Sequence, residues 1–364
     1  MKASRKILLG GIGLGLAGAA LFCALLIHNG TGQVMAAVAA ARWGLLAVIV
    51  FHAVPLMFDV WGWQVLFPAE HRLRAWTLMW MRWIGESFSS LLPVAQLGGD
   101  VLRVRLAAAH GGYVQGVLRR VPLPTAVASV MIGITMSLVT QLVFSLSGVT
   151  LLFALTGRGN LIATVAIGSA AGLLATLGFY WVKHIGIFRV LGGFVSRMAK
   201  SGAWADLMQR GDLLDQEVRR MYTRRGSLLL CCVYTMGNWM TGAAETWIAL
   251  RAVGVHAGYG EAYVLESASQ AIRSAAFLVP GALGLQEGGY LVVGAMFGIP
   301  ADTALALSLI KRARELAWGI PGLLTWQWME GRHWLARARA AREPMPAATE
   351  FSQGPAGGAP AGAK

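Results

Sequence analysis

Charge is what this chain of 364 residues has little of: Asp, Glu, Lys and Arg make up 13% of it, against 56% hydrophobic residues. That excludes an ordinary water-soluble domain, because apolar runs near the ~20 residues a bilayer core requires recur along the whole sequence. Acid is scarcer still, 17 Asp and Glu against 31 Lys and Arg, for a net charge of +14. A basic balance confined to short loops between apolar spans marks membrane orientation, so no nucleic-acid partner is expected. Only three cysteines occur, Cys23, Cys231 and Cys232, all inside apolar runs and none at metal or redox spacing. No H-E-x-x-H, nucleophile elbow or Walker loop is present, and Ser87, Ser89 and Ser90 have no neighbouring His. No catalytic residue, metal site or cofactor is therefore predicted.

What the chain has instead is apolar segments that break. In Phe277 to Pro300, F-L-V-P-G-A-L-G-L-Q-E-G-G-Y-L-V-V-G-A-M-F-G-I-P, Pro280 removes a backbone donor and Gly281, Gly284, Gly288 and Gly289 lower helical preference. Glu287 stands among Leu, Val and Phe. In lipid such a break is tolerated only where protein or a water-filled cavity covers the freed backbone groups. The segment reads as two short helices of a re-entrant hairpin with Glu287 near its tip; the plainer alternative is a kinked span with a structural glutamate. A second broken segment runs from Trp76 with Arg82 and Glu86, then Pro93, Gly98, Gly99 and Asp100, then Arg103 and Arg105.

Around these two segments, six spans are predicted. The first is Ile7 to Ile27, longer than the roughly 7–15 apolar residues of a cleaved signal. Its Gly13-x-Gly15-x-x-Gly18 matches a dinucleotide fingerprint, but no strand precedes it, and the glycines suit close helix packing. The second spans Trp43 to Phe67 and contains Asp59, and the third runs from Pro124 to Leu155. The fourth is Leu161 to Val182, the fifth Leu228 to Leu250 with Glu245, and the sixth Ala304 to Trp328 with Lys311, Arg312, Arg314 and Glu315. Between the fourth and fifth, the basic loop 183–225 has an amphipathic stretch, Trp204 to Met221, suited to a membrane surface. The tail from Glu343 is too poor in bulky apolar residues to fold.

Of the 31 basic residues, 23 fall before the first span, in 67–75, 103–120 and 183–225, or after 328, and only Arg42, Arg158, Arg251 and Arg273 fall in the opposite loops. Both termini are thus predicted to be cytoplasmic. Residues 1–156 and 157–330 share one plan, span, span, broken segment (76–107 and 263–300), span, followed by a basic and then disordered tail, 331–364. Three spans is an odd number, so the halves form an inverted repeat; Asp59-x-Trp61 and Glu245-x-Trp247 occupy matching places, as do Gly98-Gly99-Asp100 and Glu287-Gly288-Gly289. Such paired, interrupted segments point to a transporter's central site. The fold class predicted is an all-α polytopic membrane protein with six spanning helices and two re-entrant segments.

The motifs P-G-A-L-G-L-Q-E-G-G-Y, P-V-A-Q-L-G-G-D-V-L-R and A-L-A-L-S-L-I-K-R-A-R-E-L-A-W-G-I-P-G-L-L resemble the flippase-like membrane family that includes the transmembrane part of lysylphosphatidylglycerol synthases, in particular its hopanoid-biosynthesis-associated branch. The resemblance covers roughly Ile7 to Glu330 and implies a bacterial inner-membrane protein that handles a lipid, a hopanoid or another polar lipid, with movement between leaflets as one way of doing so; lipid-synthesis enzymes are the protein partners that a scaffold role would bring. The chain has no soluble aminoacyl-transfer domain, so lysyl transfer is not implied. Relatives often place an acidic-basic pair shortly after an Ala-Ser in the third span; here Ala128-Ser129 leads to Met131, Ile132, Gly133 and Ile134.

The candidate lipid- or ion-binding residues are Asp59, Glu86, Asp100, Arg103, Glu245, Glu287, Arg312 and Arg314, with Pro93, Gly98, Gly99, Pro280, Gly281, Gly284 and Gly288 as helix breaks. Each charge costs roughly 2.5–3.5 kcal/mol at the centre of a span on insertion scales, so the set demands partners or a polar cavity. A lipid transporter with a headgroup site between the halves is the leading expectation. A membrane-embedded enzyme using Glu287 or Asp100 as general base is one rival; a scaffold acting through the 183–225 loop is the other.

Overall fold

Many large apolar side chains face outward while several charged ones are fully buried, an arrangement unlike that of a protein built for water. Leu229 is 69% exposed, Val292 68% and Val233 65%, whereas Glu287 is 0%, Glu245 1%, Glu266 3% and Lys311 6%. The arrangement comes from a computed structural model, which describes residues 31–91, 98–109, 111–114, 117–157, 211–276 and 282–340, with Cys23, Ala24 and Ile27. The predicted fourth span and most of the first lie outside these residues, as do Pro93, Pro280, Gly281 and the tail from Glu343.

The elements are α1 (Thr31–Ala40), α2 (Trp43–Phe51), α3 (Ala53–Gln64), α4 (Ala75–Leu91), α5 (Gly98–Ala109), β1 (Gly111–Val114), β2 (Val117–Arg120), α6 (Leu123–Thr156), α7 (Gly211–Thr223), α8 (Arg225–Ala252), α9 (Tyr259–Ala275), α10 (Leu285–Met296) and α11 (Ala301–Ala340). Two compact units are distinguished, Met1–Leu323 and Leu324–Lys364, and every contact described below lies in the first. The described residues of both predicted halves, 1–156 and 157–330, thus share one unit up to Leu323. Among the described residues, Trp43–Gln64 and Leu123–Thr156 are long and apolar enough to cross a membrane. The fifth-span helix α8 reaches a similar length, about 42 Å at 1.5 Å per residue, but carries Arg225, Glu245 and Arg251.

The second predicted span is interrupted at His52, between α2 and α3. Pro55 explains it, because its ring nitrogen offers no hydrogen to the Phe51 carbonyl one turn back. Both broken segments are pairs of helices, α4 with α5 and α9 with α10. The second break holds Ala282 at φ 48° and Gly284 at φ 78° as the N-cap of α10, a left-handed turn that glycine adopts without strain. Gly98 and Gly99 open α5, whereas Gly288 lies inside α10 rather than at the break. Two elements depart from the expectation. The stretch 31–40, for which no span is predicted, is helical, as its four alanines favour. The basic loop at 111–120 is a hairpin pairing Gly111 with Arg120 and Val114 with Val117, where Tyr, Val and Leu suit a strand better than a helix.

The same contacts occur twice. α3 packs on α4 and α8 on α9; α4 packs on α5 and α9 on α10. The first helix of each broken segment also packs on a long helix, α4 on α11 and, antiparallel, α9 on α6. On one side Trp83 Nε1 donates to the Trp318 carbonyl (2.9 Å) and Gly322 faces Ser87. On the other, Gln141 donates to Ser274 Oγ (2.5 Å) and Gly148 faces Ser267. Between them α8 runs antiparallel to α2 and α3: Gly44 meets Ala252 and Gly237 meets Phe58, and Arg224 donates to the Leu66 carbonyl (2.9 Å).

Candidate functional site

Where these helices meet, a polar cavity of about 330 Å³ opens, lined from α3, α4, α5, α6, α8, α9 and α11. Helical spacing brings the groups to it. On α4 Arg82, Glu86 and Ser89 follow one another at three or four residues; on α9 Glu266, Gln270 and Arg273 do the same. Asp59, Asp100, Glu245 and Glu315 supply further carboxylates, Arg103 and Arg314 further guanidinium groups, and His52 enters at the α2–α3 interruption.

The charges form a chain rather than isolated pairs. Arg82 Nε donates to Asp59 Oδ2, and Arg82 Nη1 lies 3.4 Å from Glu86 Oε2. Glu86 Oε1 is 3.4 Å from His52 Nε2, and His52 Nδ1 is 2.8 Å from Glu245 Oε2. Glu245 Oε1 accepts from Arg314 (3.0 Å), Glu315 accepts from Arg273 (2.8 Å) and Arg312 (2.9 Å), and Arg312 reaches Glu287 Oε1 (3.3 Å). Beside this chain, the buried Glu266 accepts from Lys311 and from Thr246 (2.5 Å). Arg103 stands over the Trp63 ring at 4.3 Å, with Asp100 3.5 Å away. Arg103 Nε and Arg314 Nε are buried without a hydrogen-bond partner among the described residues, although buried donors are ordinarily satisfied.

The profile of one protein family, the lysylphosphatidylglycerol synthase TM region, matches residues 10–322. The chain belongs to that family. No curated protein and no solved structure matches it. Membership in the lysylphosphatidylglycerol synthase TM region makes the chain a membrane protein of a lipid-related family, and lipid is the medium its outward apolar surface requires.

Within this family member, Asp59, Glu86, Asp100, Arg103, Glu245 and Arg314 line one cavity. Glu287 and Arg312 do not. Glu287 is buried in the first turn of α10, where Ser308 (3.2 Å) and Arg312 hold one oxygen and an acid suits the positive helix end. Sequence reading passed over His52, Arg82, Glu266 and Glu315 as site residues. His52 is the only histidine inside a predicted span and stands three residues before a proline, a signal that marked it in advance. Arg82 and Glu86, one helical turn apart, are likewise a recognisable pair. The Ser129 hydroxyl accepts from Trp63 Nε1 (3.1 Å).

Proposed function

We propose that this protein moves a polar lipid, a hopanoid or a phospholipid, between the leaflets of a bacterial inner membrane. The observation that carries the reading is the cavity itself: about 330 Å³ lined by acids and bases from both halves, walled by helices whose outer faces are apolar. A headgroup enters such a cavity while the apolar body stays in lipid. The unsatisfied Arg103 and Arg314 donors suit its oxygen atoms. The six spans, the inverted repeat and the cytoplasmic termini belong to this proposal. The repeat is supported by the twofold recurrence of helix contacts, the span count by the apolar runs of the sequence, and the cytoplasmic termini by the distribution of Lys and Arg.

Reconstitution into vesicles with a headgroup-labelled lipid tests the reading. A transporter moves label to the opposite leaflet without changing its mass; a lipid-modifying enzyme changes the mass. A protein that does neither is acting as a scaffold, and that result refutes the proposal.

A further inference from the structure

His52 sits where the two charge groups meet. Its Nε2 faces Glu86 of α4 at 3.4 Å, with Arg82 behind that carboxylate. Its Nδ1 faces two groups of opposite character at the same 2.8 Å, Glu245 Oε2 of α8 and Arg314 Nη1 of α11. Glu315 lies beside Arg314 at 3.6 Å, and the Trp318 ring packs edge-on against the imidazole at 5.5 Å. Asp59 is two turns on along α3, and Arg103, Glu266 and Arg273 line the same cavity.

One nitrogen cannot serve both neighbours of Nδ1 at once. A neutral imidazole has one N–H and one lone pair. With the lone pair on Nδ1, Arg314 donates to it and the Nε2 hydrogen points at Glu86. With a proton on each nitrogen, the cation donates to Glu245 and to Glu86 together, and Arg314 is left to Glu245 Oε1 and Glu315. Gaining one proton thus exchanges an arginine contact for a bridge between a carboxylate of the first half and one of the second.

We propose that His52 is a proton-binding site through which proton uptake is coupled to the relation of the two halves, and hence, resting on the transport reading above, to lipid movement. The proton comes from water on one side of the membrane, binds the imidazole lone pair, and leaves to water on the other side when the halves have exchanged access. No nucleotide is needed, since the proton gradient supplies the bias between the two states.

Two measurements on the full chain test this. Protein labelled with nitrogen-15 in its histidines, held in lipid nanodiscs and titrated from about pH 5 to 9, is expected to show an imidazole signal that titrates and that His52→Asn lacks. Glu86→Gln and Glu245→Gln, which keep the histidine, should each displace its midpoint. A His52 signal constant over that range, or a midpoint indifferent to both variants, overturns the site. In vesicles with an imposed pH difference, labelled-lipid movement by the wild type is expected to change about tenfold per pH unit where the proton limits the rate, and His52→Asn should be indifferent. An equal response in His52→Asn overturns the coupling. Should His52→Asn fail to fold, Glu86→Gln carries the vesicle test, with a displaced pH profile expected and an unchanged one overturning the coupling. A wild type that moves no lipid although His52 titrates refutes the transport reading and leaves the proton site standing.

Discussion

At the residue scale, the cavity charges hold one another, and removing one exposes the cost of the rest. Glu245 is 1% exposed and bound by both His52 and Arg314. Glu245→Gln keeps the size and a carbonyl acceptor but deprives Arg314 of its nearest carboxylate, leaving Glu315 at 3.6 Å. Transport in vesicles should fall by about tenfold or more, the factor equivalent to about 1.4 kcal/mol, with the amount of protein in the membrane unchanged. Unchanged transport would show that the pair is architectural. Glu287→Gln should act through Arg312 rather than on a bound lipid, so labelled-lipid affinity should hold while the thermal midpoint drops. Gly99 tests packing instead. A side chain there would strike the Gly85 carbonyl oxygen and the Ser89 hydroxyl, so Gly99→Val should destabilise by about 1–3 kcal/mol or more, read as a lowered unfolding midpoint in detergent.

At the scale of elements, α7 is amphipathic and tied to the connection between α3 and α4. Arg220 Nη2 lies 2.6 Å from Glu70 Oε1, and Arg224 covers carbonyls past the end of α3, as cations commonly do at helix C-termini. Glu70's own backbone amide, and then Arg220, hold its carboxyl below the ordinary glutamate value. A depressed acid adds stability that is complete above its unfolded value of about 4.3 and is lost as pH falls through the lower folded value. Both side chains are well exposed, so a Glu70→Gln, Arg220→Ala double-mutant cycle should give a coupling no larger than about 1 kcal/mol at pH 7. It should shrink towards zero below about pH 4 and at high salt. A coupling that persists in acid would contradict this pairing.

At the scale of the molecule, α8 links the α7 end to the opposite one, and about 42 Å of helix exceeds the ~30 Å of bilayer hydrocarbon. In a chain with Cys23, Cys231 and Cys232 replaced by alanine, cysteine at Tyr222 should resist an impermeant thiol reagent on intact cells and react in inverted vesicles. Cysteine at His256, exposed at the other end, should do the reverse. Labelling of both from outside would sink the cytoplasmic placement of α7.

Much of the architecture was legible because lipid constrains sequence strongly. The helix pairs α4–α5 and α9–α10 follow from Pro and Gly inside apolar runs, and α6 and α8 from uninterrupted ones. Six of the eight candidate binding residues line the cavity because a charge at membrane depth must face inward. The sequence by itself determined the helices, their breaks and the inward turn of the charges. Which charges meet was decided only by the tertiary structure. Asp59 and Arg82 are joined by how α3 packs on α4, Glu245 and Arg314 by how α8 meets α11, and His52 by an interruption that aims its two nitrogens at different helices, at Glu86 of α4 and Glu245 of α8. Glu287 shows the limit most plainly: equally apolar surroundings in sequence gave no sign that it would be walled off beside Arg312, because helical periodicity fixes the face a residue occupies and only packing fixes what that face meets.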